Sequence, residues 1–193
     1  MRKVLFMKGS ELRLIEYMEG SKKRFIIPVY QRNYDWKIEN CKQLYDDLIQ
    51  VIKNNSKTHF FGSIVSVYEP SGRNTEFLII DGQQRLTTMS LLFLAMYNLL
   101  EEKIIISEDE SLKDQIYEDF LVDKYQPQEK RMKLKPIKND QKAFSKLFNS
   151  KDDYIKDSNL TINYSYFYER IQKQEITIDE LFDAICRLEI INI

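Results

Sequence analysis

The chain has 193 residues and a balanced charge, 29 basic against 30 acidic side chains, which excludes a global basic field that would draw the whole molecule onto DNA. A hydrophobic content of 43% with five glycines and four prolines excludes a low-complexity protein and supplies one ordinary core. The single histidine, His59, and two distant cysteines, Cys41 and Cys186, exclude a zinc finger, a zinc cluster or a His-Asn-His nuclease site within this chain and favour a reduced, cytoplasmic protein.

The first half of the chain predicts a small sheet with packed helices. In chain order, the elements are a helix over 11–19 capped by Ser10, a strand over 24–29, a helix over 38–53, strands over 59–68 and 76–80, and a helix over 86–103. The last helix is apolar on nearly every face, so we expect it to lie centrally. It falls short of the roughly 20 apolar residues that span a bilayer, and the apolar run Val4–Met7 is too short for a signal peptide. No membrane partner is therefore expected.

The second half of the chain is predicted to be mostly helical, with helices over 112–122, 140–148, 161–172 and 177–185. One extended piece, residues 130–136, would place Arg131, Lys133 and Lys135 on one face as a weak nucleic-acid-binding candidate, although such a face is more often simply solvated. The terminal apolar run Leu188–Ile193 predicts a cut within a longer protein. The predicted fold class is α+β, with a core over 1–105 and a helical extension over 106–193.

The most informative motif is Asp81-Gly82-Gln83-Gln84-Arg85, between an apolar strand and the long apolar helix. A strand that feeds a helix places backbone N–H groups and the positive end of the helix dipole at one point, where anions bind. Arg85 in that first turn is electrostatically unfavourable, and either an anionic ligand or a buried carboxylate would resolve the conflict. The alternative is that Asp81 and Gly82 only form the turn.

Two further segments are candidates. The loop Tyr30–Trp36 contains Gln31, Arg32, Tyr34 and Trp36, which would stack a planar base and grip a phosphate, or else anchor the loop to the core. In the strand that begins at His59, Gly62 predicts a bulge or the close approach of a ligand, and Ser63 follows it. His59 is a candidate general base, although a histidine at a strand start is more often structural.

These motifs together resemble the N-terminal domain of the GmrSD-type restriction endonuclease family. The resemblance rests on Ile27-Pro28-Val29-Tyr30-Gln31-Arg32 with Trp36, on Phe61-Gly62-Ser63-Ile64-Val65, and on Ile79 to Thr88, and it continues through Leu134-Lys135-Pro136, Asn139-Asp140 and Tyr166-Phe167. It implies a core similar to that of ParB and sulfiredoxin, in which such a turn contacts nucleotide phosphates. It also implies a phage-defence module that recognises modified DNA and hydrolyses nucleoside triphosphates. Cutting in the family is assigned to a His-Asn-His-type nuclease domain.

The resulting hypothesis is a nucleoside triphosphate (GTP, UTP, CTP or ATP) bound with Mg²⁺ between the Tyr30–Trp36 loop and the Asp81 turn. Arg85, the helix N-terminus and Arg32 would hold phosphate oxygens, because phosphoryl transfer needs positioning and charge neutralisation. Asp81 would bind the Mg²⁺ or act as a base, and a glutamine would orient phosphates or water. The predicted catalytic residues are Asp81, Gln83, Gln84 and Arg85, and the predicted nucleotide-binding residues are Gln31, Arg32, Tyr34, Trp36, Gly82 and Ser63.

Other functions remain open at this point. The chain would instead be a non-catalytic DNA-binding module with a ParB-like fold, or would be inactive alone because a missing part or a second subunit completes its site. The expected partners are a nucleotide, DNA with or without modification, and a C-terminal nuclease domain or a separate nuclease subunit. A homo-oligomer is a further expectation that the sequence does not test.

Overall fold

Six strands form one mixed sheet in the computed structural model, which describes residues 9–193. They are β1 (Ser10–Arg13), β2 (Lys23–Ile26), β3 (His59–Ser71), β4 (Asn74–Asp81), β5 (Leu134–Lys135) and β6 (Leu188–Asn192). Their order across the sheet is β1-β6-β3-β4-β2-β5. The β1–β6 and β3–β4 pairs are antiparallel, and the other three pairs are parallel.

Helices pack with this sheet, which confirms the predicted mixture of helices and strands. Within the described residues they are α1 (Leu14–Met18), α2 (Ile38–Lys53), α3 (Gln83–Glu101), α4 (Leu112–Ile116), α5 (Lys138–Lys146), α6 (Asn159–Gln172) and α7 (Ile178–Cys186). A π-helical turn, Tyr117–Leu121, continues α4. None of the described helices combines the length and the apolar character needed to cross a membrane. The likeness to ParB and sulfiredoxin stays a prediction.

The apolar helix α3 lies in the centre of the fold, as expected. Leu86, Met89 and all six residues from Leu91 to Met96 are fully buried. Helix α6 packs on α3, and Phe120 stacks on Phe93 with the ring centroids 4.3 Å apart. Full burial of a large apolar side chain contributes about 1.5–3 kcal/mol, so this helix fixes the position of the turn that precedes it.

Three neighbouring parallel strands, β4, β2 and β5, bring three connections to one edge of the sheet. Parallel strands end at the same edge. The segment 27–37 follows β2, α3 follows β4, and α5 follows β5 after two residues. This shared edge places the predicted aromatic loop beside the Asp81 turn.

The predicted helix over 11–19 is wrong in its first part. Ser10–Arg13 pairs with β6 as a strand, and the helix covers only Leu14–Met18. Pairing with a distant strand overrides the local helical pattern. The apolar run at 188–193 supplies β6, which lies between β1 and β3. The predicted division at residue 105 stays a prediction, while the sheet takes strands from both sides of it. The prediction about the first eight residues lies outside the described part of the chain.

Candidate functional site

A cavity of about 220 Å³ lies between the aromatic loop and the Asp81 turn. The loop contributes Gln31, Arg32 and Trp36, and the turn contributes all five residues from Asp81 to Arg85. Eight of the ten predicted nucleotide-site residues therefore surround one space. The other two, Tyr34 and Ser63, do not line it.

Gly82 makes the sharp transition from β4 into α3. Its φ of +89° lies in the left-handed region, and a Cβ built on it would come within 2.8 Å of the Ser63 carbonyl oxygen. Only glycine satisfies both constraints without strain. The first turn of α3 contains no acidic side chain that would offset the positive end of the helix dipole. The cavity therefore faces an N-terminus that favours an anion.

Arg85 brings a second positive charge to this helix end. Its side chain is half-buried and its Nη1 donates to the Ser63 carbonyl oxygen at 3.4 Å. No carboxylate of residues 9–193 lies within 4.0 Å of its guanidinium. Of the two partners that would resolve its unfavourable position, the buried carboxylate is therefore ruled out within the described chain. The anionic ligand stays a prediction.

Gly62 makes room for the Arg85 guanidinium. It has a φ of +130° and lies where the β3–β6 register shifts, so the predicted bulge is confirmed. A Cβ at this position would lie 2.6 Å from Arg85 Nε and 2.8 Å from Cζ. The group that approaches Gly62 is therefore the arginine of the neighbouring helix. Ser63 contributes its carbonyl oxygen as acceptor.

Gln84 holds the aromatic loop in place. Its Oε1 accepts from the backbone N–H groups of Asp35 (3.0 Å) and Trp36 (3.3 Å), and its Nε2 donates to the Asn33 carbonyl oxygen at 3.2 Å. The side chain is buried, and both ends of the amide are engaged with the loop. Gln84 is thus a positioning residue for the loop. The sequence predicts only that either Gln83 or Gln84 orients a phosphate or a water.

Tyr34 does not face the cavity, so the prediction that it stacks a base is wrong. The ring is buried, and its hydroxyl lies 2.7 Å from Thr88 Oγ1 and accepts from Asn163 Nδ2 at 2.9 Å. Burial raises the pKa of Tyr34 above the ordinary tyrosine range. The partly exposed Trp36 lines the cavity, and its role in stacking a base stays a prediction.

Gln83 and Gln31 form a connected pair on the cavity wall. Gln83 Nε2 donates to Gln31 Oε1 at 3.3 Å, and Gln31 Nε2 donates to the Ile80 carbonyl oxygen at 2.7 Å. Gln83 Oε1 makes no hydrogen bond with the described residues. That oxygen is therefore a free acceptor for a water or a ligand hydroxyl. The pair fixes its direction.

The remaining charged residues of the cavity are Arg32 and Asp81. Arg32 Nη1 lies 2.9 Å from Asp35 Oδ2, with both side chains exposed, and such pairs are worth little and exchange easily. Asp81 is the only carboxylate that lines the cavity. No cluster of three or more potential metal ligands occurs in residues 9–193. A lone carboxylate fits Mg²⁺, which keeps several waters and takes other ligands from substrate phosphates.

His59 and the predicted basic strand lie outside this cavity. His59 Nε2 is 3.7 Å from Asp47 Oδ2. Lys133 is 1% exposed, and its Nζ donates to the carbonyl oxygens of Met18 and Gly20, each at 2.7 Å, and also to that of Asp119. The prediction that Lys133 shares an exposed face with Arg131 and Lys135 is therefore wrong. Regular pairing begins only at Leu134, so the strict alternation does not extend back to it.

Sequence reasoning missed the residues that support the loop from the second half of the chain. The backbone N–H of Tyr34 donates to Asp140 Oδ2 at 2.8 Å, and Asn163 Nδ2 donates to the Trp36 carbonyl oxygen at 2.8 Å. The local signals are Asp140, which belongs to the Asn139-Asp140 motif, and Asn163 within a predicted helix, because an amide that becomes buried needs partners.

Comparison with curated proteins found no match. A family model described as the GmrSD restriction endonuclease, N-terminal domain, matches residues 14–193, a range that includes every residue of the cavity. The chain therefore belongs to the GmrSD restriction endonuclease N-terminal domain family.

Proposed function

We propose that this domain binds and hydrolyses a nucleoside triphosphate and senses DNA, as a module of a modification-dependent restriction endonuclease in phage defence. Family membership supports the restriction role. The observation that carries the nucleotide role is Arg85, a half-buried cation at a helix N-terminus with no carboxylate partner in the described chain. A nuclease partner, as a C-terminal domain or a separate subunit, would perform the cut.

The size of the cavity indicates which part of a nucleotide it accepts. A volume of about 220 Å³ is below the roughly 300–1,000 Å³ of pockets that enclose a whole drug-sized ligand. The cavity therefore accommodates the phosphate end, and the base lies at the rim. Trp36 is the aromatic surface available there, and Tyr30, which is 69% exposed, lies on the same loop.

The roles follow from the contacts. Arg85 and the N–H groups at the start of α3 bind phosphate oxygens and stabilise the charge that develops on them during transfer. Arg32 leaves its exposed partner Asp35 for the stronger negative charge of a phosphate. Gln83 Oε1 accepts a hydrogen bond from the attacking water, with Gln31 fixing its direction. Asp81 would hold Mg²⁺, which supplies charge neutralisation when bound.

The direct test is phosphate release from ATP, GTP, CTP and UTP, with and without DNA. We expect the wild type to release phosphate and Arg85→Ala to lose at least about 100-fold, because one preorganised donor to a developing charge is worth that much. Arg73→Ala, which removes an exposed arginine at the β3–β4 turn, is the matched control. Equal release by the wild type and Arg85→Ala would show that hydrolysis does not occur at this site.

A non-catalytic DNA-binding module is the second candidate function. It is favoured by a separate basic cavity beside β5. DNA binding through phosphates weakens steeply as salt rises, whereas binding of a mononucleotide depends on salt much less. A steep salt slope for DNA with no phosphate release from any triphosphate would support this candidate.

A further inference from the structure

A second cavity, of about 600 Å³, lies between the β2–β5 edge of the sheet and α5. It shares no lining residue with the Asp81 cavity. Its wall contains five cationic side chains and one carboxylate, that of Glu129. The cations come from β2, the segment before β5, β5 itself and the start of α5: Arg24, Lys130, Lys135, Lys138 and Lys142.

These five cations have no ion-pair partner among residues 9–193. None has a carboxylate of the described residues within 4.0 Å, Glu129 included. The chain as a whole has a net charge of −1, so the concentration is local. In segment 128–146 only Glu129 and Asp140 are acidic, against Lys130, Arg131, Lys133, Lys135, Lys138, Lys142 and Lys146.

Helix α5 contributes two of the cations, and their positions on it repel each other slightly. Lys138 is its first residue, where the helix dipole is positive and repels a cation, and Asp140 in the same turn offsets part of that positive charge. Lys142 follows four residues later on the same face, and like charges at that spacing cost about 0.2–0.5 kcal/mol. A bound anion would reverse both penalties. The cluster of cations is therefore stabilised by a bound anion.

We propose that this cavity binds the phosphodiester backbone of a nucleic acid. The cations come from four different parts of the wall, and Arg and Lys side chains are common donors to the phosphates of a duplex. Phe144, the only aromatic residue of the wall, is 2% exposed and gives no platform on which a base could stack. A free mononucleotide would therefore find charge but no base contact. The inference rests on the DNA-sensing part of the function proposed above and is independent of nucleotide hydrolysis.

The test compares two triple variants of the whole chain. In the first, Lys135, Lys138 and Lys142 are changed to Gln, and in the control Lys53, Lys57 and Lys173, which are exposed and outside the cavity, are changed to Gln. Both lose the same charge. The probe is a fluorescein-labelled 20-base-pair duplex, and anisotropy is measured at several salt concentrations. Thermal unfolding of both variants checks that they fold.

We expect the first variant to bind at least about tenfold more weakly at 0.1 M salt and its salt slope to fall by up to about 3, since each duplex phosphate contact contributes about 0.9 to the slope. The control should keep the wild-type slope. Equal binding by the two variants would show that DNA does not bind at this cavity, and it would not contradict DNA sensing elsewhere on the protein. Failure of the wild type to bind DNA would overturn both this cavity and the proposed DNA sensing. Phosphate release measured without DNA reports separately on the nucleotide site.

Competition distinguishes the ligand classes. We expect unlabelled duplex to displace the probe at equivalent concentration, and poly-glutamate of equal charge, or ATP at millimolar concentration, to displace it far less. Displacement by poly-glutamate as effective as by duplex would identify an acidic protein surface as the partner. Displacement by ATP that the first triple variant abolishes would identify a mononucleotide site. Either result would overturn the assignment to a phosphodiester backbone.

Discussion

Arg85 reaches its position only because the residue beside it has no side chain. Gly62→Ala would place a Cβ 2.6 Å from Arg85 Nε and would also force alanine to a φ of +130°. We expect this variant to lose about 1–3 kcal/mol of unfolding free energy, by strain, and to lose phosphate release because the guanidinium is displaced. Chemical denaturation and the phosphate assay measure the two effects.

Gly72→Ala is the control for strain alone. Gly72 has a φ of +63° at the β3–β4 turn, and a Cβ there would meet nothing within 4 Å. The control should lose some stability and no phosphate release. If both alanine variants released phosphate at the wild-type rate, Arg85 would not need the space that Gly62 provides.

Alanine substitutions of the two consecutive glutamines of the turn should have different effects. Gln84→Ala leaves the partly buried backbone N–H groups of Asp35 and Trp36 without their acceptor, at up to about 1–3 kcal/mol, the cost of an unsatisfied buried group. Gln83→Ala removes a weaker contact with Gln31 and the free Oε1. We expect the first variant to lose mainly stability and the second mainly turnover. The opposite pattern would reverse the roles assigned here.

At this scale the sequence indicates which residues cluster but not which way each one faces. The order of residues in the turn was enough to single out Arg85 as a cation in an unfavourable position. Tyr34 and Trp36, by contrast, are two aromatic residues of one loop, and nothing local separates them. Tyr34 turns away from the cavity because its hydroxyl forms hydrogen bonds with Thr88 and Asn163, which are 54 and 129 positions away in the chain.

Lys133 connects three elements from inside the protein. Its ammonium donates to carbonyl oxygens at the end of α1 (Met18), after it (Gly20) and in the π-helical turn (Asp119). Lys133→Met keeps the length of the side chain and leaves these acceptors without their donor. We expect a loss of about 1–3 kcal/mol in unfolding free energy, measured in urea. Lys135→Met, at an exposed position, should change it by less than about 0.5 kcal/mol.

The same lysine gives stability a defined pH dependence. Burial lowers the pKa of Lys133 to about 8, from 10.5 in the unfolded chain. Between these values the unfolded state binds more protons, so this group makes the unfolding free energy rise with pH. The advantage of the wild type over Lys133→Met should therefore be larger at pH 9.5 than at pH 7.5. A constant difference across that range would contradict the depressed pKa.

Element boundaries could be predicted where the pattern is local. The helix over 38–53 agrees with α2, whose apolar stripe and ends are set within the segment itself. Residues 11–13 have helical spacing but pair with Glu189–Ile191 at the other end of the chain. The prediction for Lys133 is wrong for the same reason, because its partners lie at α1 and in the π-helical turn. Distant pairing is the physical cause in both cases.

The whole molecule is joined through its sheet. β5 and β6 come from beyond residue 105, yet β6 separates β1 from β3 and β5 pairs with β2. The edge formed by β4, β2 and β5 carries both the Asp81 turn and the segment that leads into α5. The motifs were enough to predict a cavity between the aromatic loop and the Asp81 turn. The parallel strand pairing that forms this edge has no signal in the sequence, so it could not be predicted.

Because the sheet joins the two predicted parts of the chain, we expect residues 1–105 not to fold alone. A chain of residues 1–105 lacks β6, so β1 has no partner, and it lacks α6 and Phe120, which cover α3. Exposing the fully buried residues of α3 forfeits about 1.5–3 kcal/mol each, and the total exceeds the 5–15 kcal/mol by which domains are stable. We therefore expect residues 1–105 to show no cooperative thermal transition by circular dichroism, and residues 9–193 to show one. Cooperative unfolding of residues 1–105 would establish that segment as an independent core.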